Sequence, residues 1–312
     1  MAGRKKITAR GITGLDIFFA DFISEKQALN KSKATIENYQ TSWKRYKEEM
    51  LSNSITQADI YSFINLLRNR GVKNQSINHY LRDLRTFVNW CVDKKYLRDI
   101  KVKLVEEEEI VQETYTDKDI MTMIQKPHKN ESFNMWRTWC MLNLFFAGGM
   151  RASSACSIRM MDIDFDNNLI ILSRTKNRKI IALPMAKQLV SVLKLYIHMF
   201  RSDTDSEDWL FPSVYGTQLK VNGLYQAIKD YNHKRGVSLK GSKAARHSFS
   251  KAWVRSGGSL FKLQKVLGHK SPQMTAHYAD IWGKDLQEGF EEHNLLDMVK
   301  ADNSRKHAIT RK

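Results

Sequence analysis

Proline is scarce, with 4 residues in 312, and glycine is limited to 15, so a proline-rich or collagen-like low-complexity chain is excluded. No uninterrupted apolar run reaches the roughly 18 residues that would mark a membrane-spanning helix. The basic start, Met1-Ala2-Gly3-Arg4-Lys5-Lys6, is not followed by an apolar stretch with a small-residue cleavage site, so no secretory signal is expected. Three cysteines, Cys91, Cys140 and Cys156, lie far apart in apolar surroundings. An odd number without metal-ligand spacing argues against a disulfide framework or a metal site and points to reduced core residues of a cytoplasmic protein. Acidic residues are also in short supply, 33 against 51 lysines and arginines.

What remains is a globular composition, 42% hydrophobic and 27% charged, long enough for two domains with a buried core. The net charge of +18 exceeds the magnitude of about 2–8 that solubility asks of a small domain. The first hundred residues alone carry 18 basic and 10 acidic side chains. An extended anion is the partner this suits, nucleic acid being the commonest. An anionic membrane surface is the weaker alternative, because neither a lipidation signal nor a single basic amphipathic helix stands out.

Residues 1–100 read as four helices. One runs from Gly14 to about Glu25; a second places Ile36, Tyr39, Trp43, Tyr46 and Met50 on one face. Thr56 with Asp59 forms an N-cap pattern, opening a third helix that Gly71 closes. The fourth spans about 75–92 and buries Ile77, Leu81, Leu84 and Val88. Composition then shifts at Glu106-Glu107-Glu108-Glu109, and 101–115 is expected to be a solvated linker. A second N-cap pattern, Thr116 to Asp119, begins a mixed domain over 116–282. Helices are expected at about 117–126, 132–147, 152–160, 186–200, 221–234, 243–256 and 259–267. Between them lie a turn at Asp166-Asn167-Asn168, a strand at Leu169–Leu172, a polar loop and a strand from Lys179 to Leu183. Residues 283–312 form a last helix, about 283–299, and a basic tail. The fold class is mainly α with a small β-sheet, and there is no internal repeat.

Four local features in the second domain carry chemistry. Gly148-Gly149-Met150-Arg151 sets an arginine before a helix. Lys176 lies in the strand–strand loop Arg174-Thr175-Lys176-Asn177-Arg178. Lys243-Ala244-Ala245-Arg246-His247 puts two cations three apart at a helix start, and Leu267-Gly268-His269 precedes Tyr278 by nine residues. Each alone has a plain explanation: a surface arginine, a solvated lysine, a helix C-cap histidine, a core tyrosine.

In this order the features resemble the tyrosine recombinase (phage integrase) family of site-specific DNA recombinases, most closely from Lys243 to Asp280. The likeness extends from about residue 15 to 290, because the N-terminal helices resemble that family's core-binding (SAM-like) domain. It implies a catalytic domain that joins the helical one in a C-shaped clamp on DNA, and Tyr278 as nucleophile. The chemistry suits these residue types. Attack on a phosphodiester builds extra negative charge on phosphorus, and with no metal-ligand pattern in the sequence, fixed cations must stabilise it. Arg151 and Arg246 fit, since guanidinium is always charged and grips phosphate oxygens in a fork. A phenol with pKa near ~10 needs a cationic site that favours its anion. The resemblance further implies Lys176 as general acid, with Lys243 and His269 assisting proton transfer and phosphate orientation.

Two positions depart from the family's pattern. Ser154 stands where an acidic residue usually follows the first arginine by three, and Lys243 stands where a histidine is usual. These departures keep a second class open, a catalytically impaired relative acting as a DNA-binding repressor. A telomere-resolving or topoisomerase-only enzyme would share the site. The resemblance implies double-stranded DNA with paired half-sites as partner and homo-oligomers (dimer or tetramer) on DNA, with the C-terminal helix docking in a neighbouring protomer. It also implies directionality or DNA-bending factors, no cofactor, and an origin in a mobile element. Lys44, Lys47, Arg82 and Arg85 are the expected phosphate contacts of the first domain.

Overall fold

The computed structural model describes residues 14–50, 55–107, 113–172, 181–238, 240–269 and 271–276. The chain divides into two compact units, Met1–Ile110 and Val111–Lys312.

The first unit is built on four helices: α1 (Gly14–Ala28), α2 (Lys33–Glu49), α3 (Gln57–Asn69) and α4 (Asn74–Asp93). The starts of α2 and α3 are set by short polar side chains. Ser32 accepts from the Thr35 amide, and Thr56 and Asp59 exchange bonds in a complete capping box. Such reciprocal bonds satisfy amides that the first helical turn leaves without partners. The periodic apolar residues then meet in one core. Phe19 stacks on Trp43 at 5.0 Å, and Phe87 meets both rings edge-on.

Beyond α4 the chain does not leave at once. The stretch 101–107, expected to be solvated, is fastened to this unit by side-chain amides. Gln57 donates to the Lys101 carbonyl and accepts from its N–H. Asn78 does the same for Val105, at 2.8 Å each way, and donates to Glu107 at 2.6 Å. Each amide mimics a neighbouring strand. Arg82 donates to the same Glu107 carboxylate at 3.0 Å.

The second unit centres on α6 (Phe133–Gly148), which packs against α5 (Asp117–Ile124) and three later helices. Every residue from Trp136 to Phe145 is buried, including Arg137, which donates to the Pro212 carbonyl, and Asn143, which donates to the Trp139 carbonyl. The helix predicted over 152–160 is shorter here: α7 (Ala152–Ala155) makes one turn. Ser157 bonds back to the Ser154 carbonyl through both its hydroxyl and its N–H, while Ile158 and Met160 pair with the backbone of Leu210 and Asp208, drawing the chain out of the helix. A small antiparallel sheet follows, in the order β1 (Ile163–Asp164), β2 (Leu169–Leu172), β3 (Ile181–Pro184), with Ile170 opposite Leu183. Its first turn holds Asn168 at φ 53°, with Asp164 accepting from the Asn167 amide.

The remaining helices are α8 (Lys187–Phe200), α9 (Val221–Lys234), α10 (Ser242–Arg255), α11 (Leu260–Leu267) and the single turn α12 (Gln273–Ala276). Among the described residues no helix is long and apolar enough to cross a membrane. The three cysteines are buried, and burial pushes the Cys91 thiol up to about 12 and that of Cys156 to about 11, so both stay protonated. Lys176, Tyr278 and the helix expected at 283–299 lie outside the described residues.

Asn78→Ala should release the 101–107 stretch, since two backbone groups of Val105 lose their partner, at about 1–3 kcal/mol. Hydrogen exchange on the full chain should show amide protection there falling at least tenfold while α10 is unchanged. Unaltered protection at Val105 would mean the amide clamp contributes nothing.

Candidate active site

Three turns of the second unit converge on one buried guanidinium. The first is the end of α6, where Gly149 takes φ +58° as the left-handed C-cap. The second is the start of α10, and the third is the end of α11, where Gly268 caps at φ +62°. Both glycines are placed where the backbone must turn left-handed, which costs an L side chain roughly 1–2 kcal/mol. At Gly149 a further constraint applies: an added Cβ would lie 2.4 Å from Phe249 Cδ1 and 2.9 Å from Leu267 Cδ2.

The start of α10 is fixed from several sides. The Tyr115 amide donates to Ser248 Oγ at 2.8 Å, and its hydroxyl donates to the Lys240 carbonyl. Asn232 donates to the same carbonyl, and the Lys240 ammonium bonds Asp119 at 2.8 Å. That ammonium first, and then the Thr116 bonds of the capping box, hold the Asp119 carboxyl below its usual range.

Arg246 is only 9% exposed and points inward from α10. It donates to the Gly149 carbonyl at 2.7 Å and to the Leu267 carbonyl at 2.9 Å. A second contact of its Nη2, at 2.8 Å, is with His269 Nε2. Arginine can only donate, so Nε2 must accept and the neutral imidazole carries its proton on Nδ1. That nitrogen sits 2.8 Å from Thr275 Oγ1. Arg151, half-buried beside them, donates to the Leu267 carbonyl at 3.1 Å and contacts that of Gly268 at 3.5 Å.

The structure thus brings Arg151, Arg246 and His269 together. Lys243 does not join them: one turn before Arg246, its side chain is exposed and among the described residues makes no hydrogen bond or ion pair. The sheet approaches the cluster through β3, which packs against α11. Lys176 belongs to the connection between β2 and β3 and Tyr278 follows α12 by two residues, both outside the described residues. The sequence reading missed Thr275, because a threonine in a short polar turn carries no signal until the histidine beside it is placed. It also missed the carbonyls of Gly149, Leu267 and Gly268, because backbone acceptors have no sequence signature. Ser154 is buried, and the Arg151 guanidinium is held by carbonyl oxygens of the Leu267-Gly268 turn.

Two fixed guanidinium groups and a histidine around a glycine-lined turn suit an anion with several oxygens. Residues 113–282 match the phage integrase family, and residues 15–116 match the phage integrase N-terminal SAM-like domain. The chain belongs to the phage integrase family. Its enzyme class is that of the tyrosine recombinases. The tyrosine recombinase XerA of Pyrococcus furiosus is 25% identical over 283 residues, covering 89% of this chain and 94% of the relative. The Tn1549 transposon integrase, solved with transposon right end DNA, superposes with a TM-score of 0.72 at 15% identity, covering 93% of this chain and 98% of its own. A lambda integrase dimer bound to a COC′ core site gives 0.67 at 16% identity, with 86% and 77% covered. The two structural likenesses reflect a shared fold.

Gly149→Ala should be among the most damaging single-methyl changes in this unit. A strained φ plus the clash with Phe249 should cost about 2–5 kcal/mol. Thermal unfolding of the full chain would register it as a clear drop in Tm; a wild-type Tm would show that the turn yields without cost.

Proposed function

We propose that this tyrosine recombinase acts as a site-specific integrase or resolvase, cutting and rejoining DNA through a covalent tyrosine link, with Arg151 and Arg246 gripping the scissile phosphate. The observation that carries this reading is the buried Arg246, held rigidly beside Arg151 and His269 in a segment whose sequence leads directly to Tyr278. Cations fixed before the reaction stabilise the developing phosphorane charge without reorganising in the transition state.

In this scheme the Tyr278 oxygen attacks phosphorus and its phenolic proton passes to solvent water. The bond from phosphorus to the 5′ oxygen breaks, and that oxygen takes a proton from the Lys176 ammonium. The DNA is left as a 3′-phosphotyrosine with a free 5′ hydroxyl. One ester has replaced another, so a 5′ hydroxyl from a second strand can reverse the step without a nucleotide cofactor. Lys243, exposed at the mouth of α10, is free to approach a phosphate on DNA. His269 presents Nε2 to Arg246 in this structure, so its first task is to orient that guanidinium. The function is that of a mobile-element recombinase acting on duplex DNA with paired half-sites as an oligomer. The solved lambda integrase relative is a dimer on its core site.

The first unit would supply phosphate contacts. Lys44 pairs with Glu48, Lys47 with Asp16 and Arg82 with Glu107, whereas Arg85 is exposed.

Incubation with a nicked suicide substrate carrying the selected site should give a covalent protein–DNA band. Tyr278→Phe should abolish it, and Arg246→Lys should slow its formation by about 10²–10³-fold. Specific binding with no adduct under any condition would mark the chain as a DNA-binding regulator instead. Separately, Arg85→Ala should lower the salt slope of binding by about one unit, and Arg82→Ala by less, because Glu107 already neutralises it. Equal slopes for both variants and wild type would make these residues ordinary surface charge.

A further inference from the structure

We propose that Thr275 is a positioning residue of the active site, whose hydroxyl holds His269 in the Nδ1-protonated form and thereby fixes Arg246. The proposal rests on the reading of Arg246 and His269 as parts of the catalytic site. Thr275 is only 2% exposed, and its Oγ1 lies 2.8 Å from His269 Nδ1. Its own amide is bonded to the Pro272 carbonyl at 2.8 Å, so the side chain is anchored from behind.

The imidazole is gripped at both ends. Arg246 donates to Nε2, which requires a lone pair there, and the ring proton is thereby confined to Nδ1. A half-buried Nδ1–H with no acceptor would carry a desolvation penalty, and the ring would gain by swinging away. Thr275 supplies that acceptor. Without it, one of the contacts that orient the Arg246 guanidinium becomes loose, although the carbonyls of Gly149 and Leu267 still hold it. The arrangement resembles the way a second hydrogen bond sets which nitrogen of a catalytic or metal-bound histidine is available. It has a second consequence. Thr275 stands three residues before Tyr278, so the bond that orients the histidine also tethers the chain segment leading to the nucleophile. The phosphate-gripping arginine and the tyrosine would share one mechanical link, of which Thr275 is the middle member.

The test is imidazole ¹⁵N NMR on the full chain with labelled histidine, the His269 signal being assigned by its loss in His269→Gln. At neutral pH, wild-type His269 should show a protonated Nδ1 and a lone pair on Nε2. In Thr275→Val, which keeps the shape and removes the hydroxyl, the pattern should move toward a mixture of tautomers. Adduct formation on the suicide substrate should slow by about tenfold, the effect of one lost hydrogen bond. Thr275→Ser should restore both readouts to near wild type. A wild-type ring protonated on Nε2 overturns the proposal, whatever any variant does or whether Thr275→Val folds. So does a Thr275→Ser as impaired as Thr275→Val, which would assign the site to methyl packing. Wild-type protein that forms no adduct but shows the Nδ1–H ring, lost in Thr275→Val, upholds the positioning role and strikes the phosphotyrosine reading alone.

Discussion

A guanidinium taken out of water must find acceptors for its fixed fork of donors, and at Arg246 they come from two other stretches of chain. The Gly149 carbonyl ends α6, the Leu267 carbonyl ends α11, and the His269 ring lies just beyond it. Satisfying this one side chain therefore specifies how α6, α10 and α11 meet. The left-handed glycines follow from the same demand, because a helix can aim a terminal carbonyl sideways only if the chain turns sharply after it. The apolar centre of the unit, with α6 buried along ten consecutive residues, supplies the rigid frame against which α10 is pressed.

Holding cations with carbonyls has an electrostatic consequence. A carboxylate beside Arg151 would fix the guanidinium and also cancel much of its charge. The carbonyls of Leu267 and Gly268 orient it through dipoles and add no negative charge of their own. Ser154, in place of an acid, is consistent with this arrangement: the Leu267-Gly268 turn does the orienting. Arg151 and Arg246 share the Leu267 carbonyl, so the two cations are coupled through one acceptor. The like-charge repulsion between them is part of what a bound phosphate would relieve.

How much of this was legible beforehand depended on how local each cause is. The capping boxes at Thr56–Asp59 and Thr116–Asp119 were readable because donor and acceptor lie three residues apart. The apolar periodicity of α2, α3 and α4 was readable for the same reason. The docking of 101–107 was not, because its partners Gln57 and Asn78 stand more than twenty residues away and a run of glutamates looks solvated in isolation. Nor was the early end of α7, which is decided by pairing with residues near 208–210. In the site, Arg151, Arg246 and His269 were singled out by type and order. Lys243 was grouped with Arg246 by spacing and by the family resemblance; in the structure Arg246 is buried and Lys243 exposed, because positions three apart on a helix share a side, not an environment.

The same distinction between counting and placement governs the basic first unit. Its excess of positive charge is a property of the sum, whereas a phosphate meets individual side chains. The Glu49 side chain is only 2% exposed between Arg45, at 3.1 Å, and Arg70, at 2.6 Å, and this knot ties α2 to the end of α3. Removing either arginine would leave the buried carboxylate with one ion-pair partner in place of two, so both cations are committed to the fold. Lys44, paired with the exposed Glu48, is different. Exposed pairs are worth only about 0–1 kcal/mol and are screened by salt, so an approaching phosphate can replace the carboxylate at little cost. Arg82 lies between these cases. Its partner Glu107 is held in place by the buried Asn78, so the acid cannot simply drift off when the arginine turns to another anion. Any DNA contact by Arg82 would therefore be made beside Glu107 or after the 101–107 stretch had shifted.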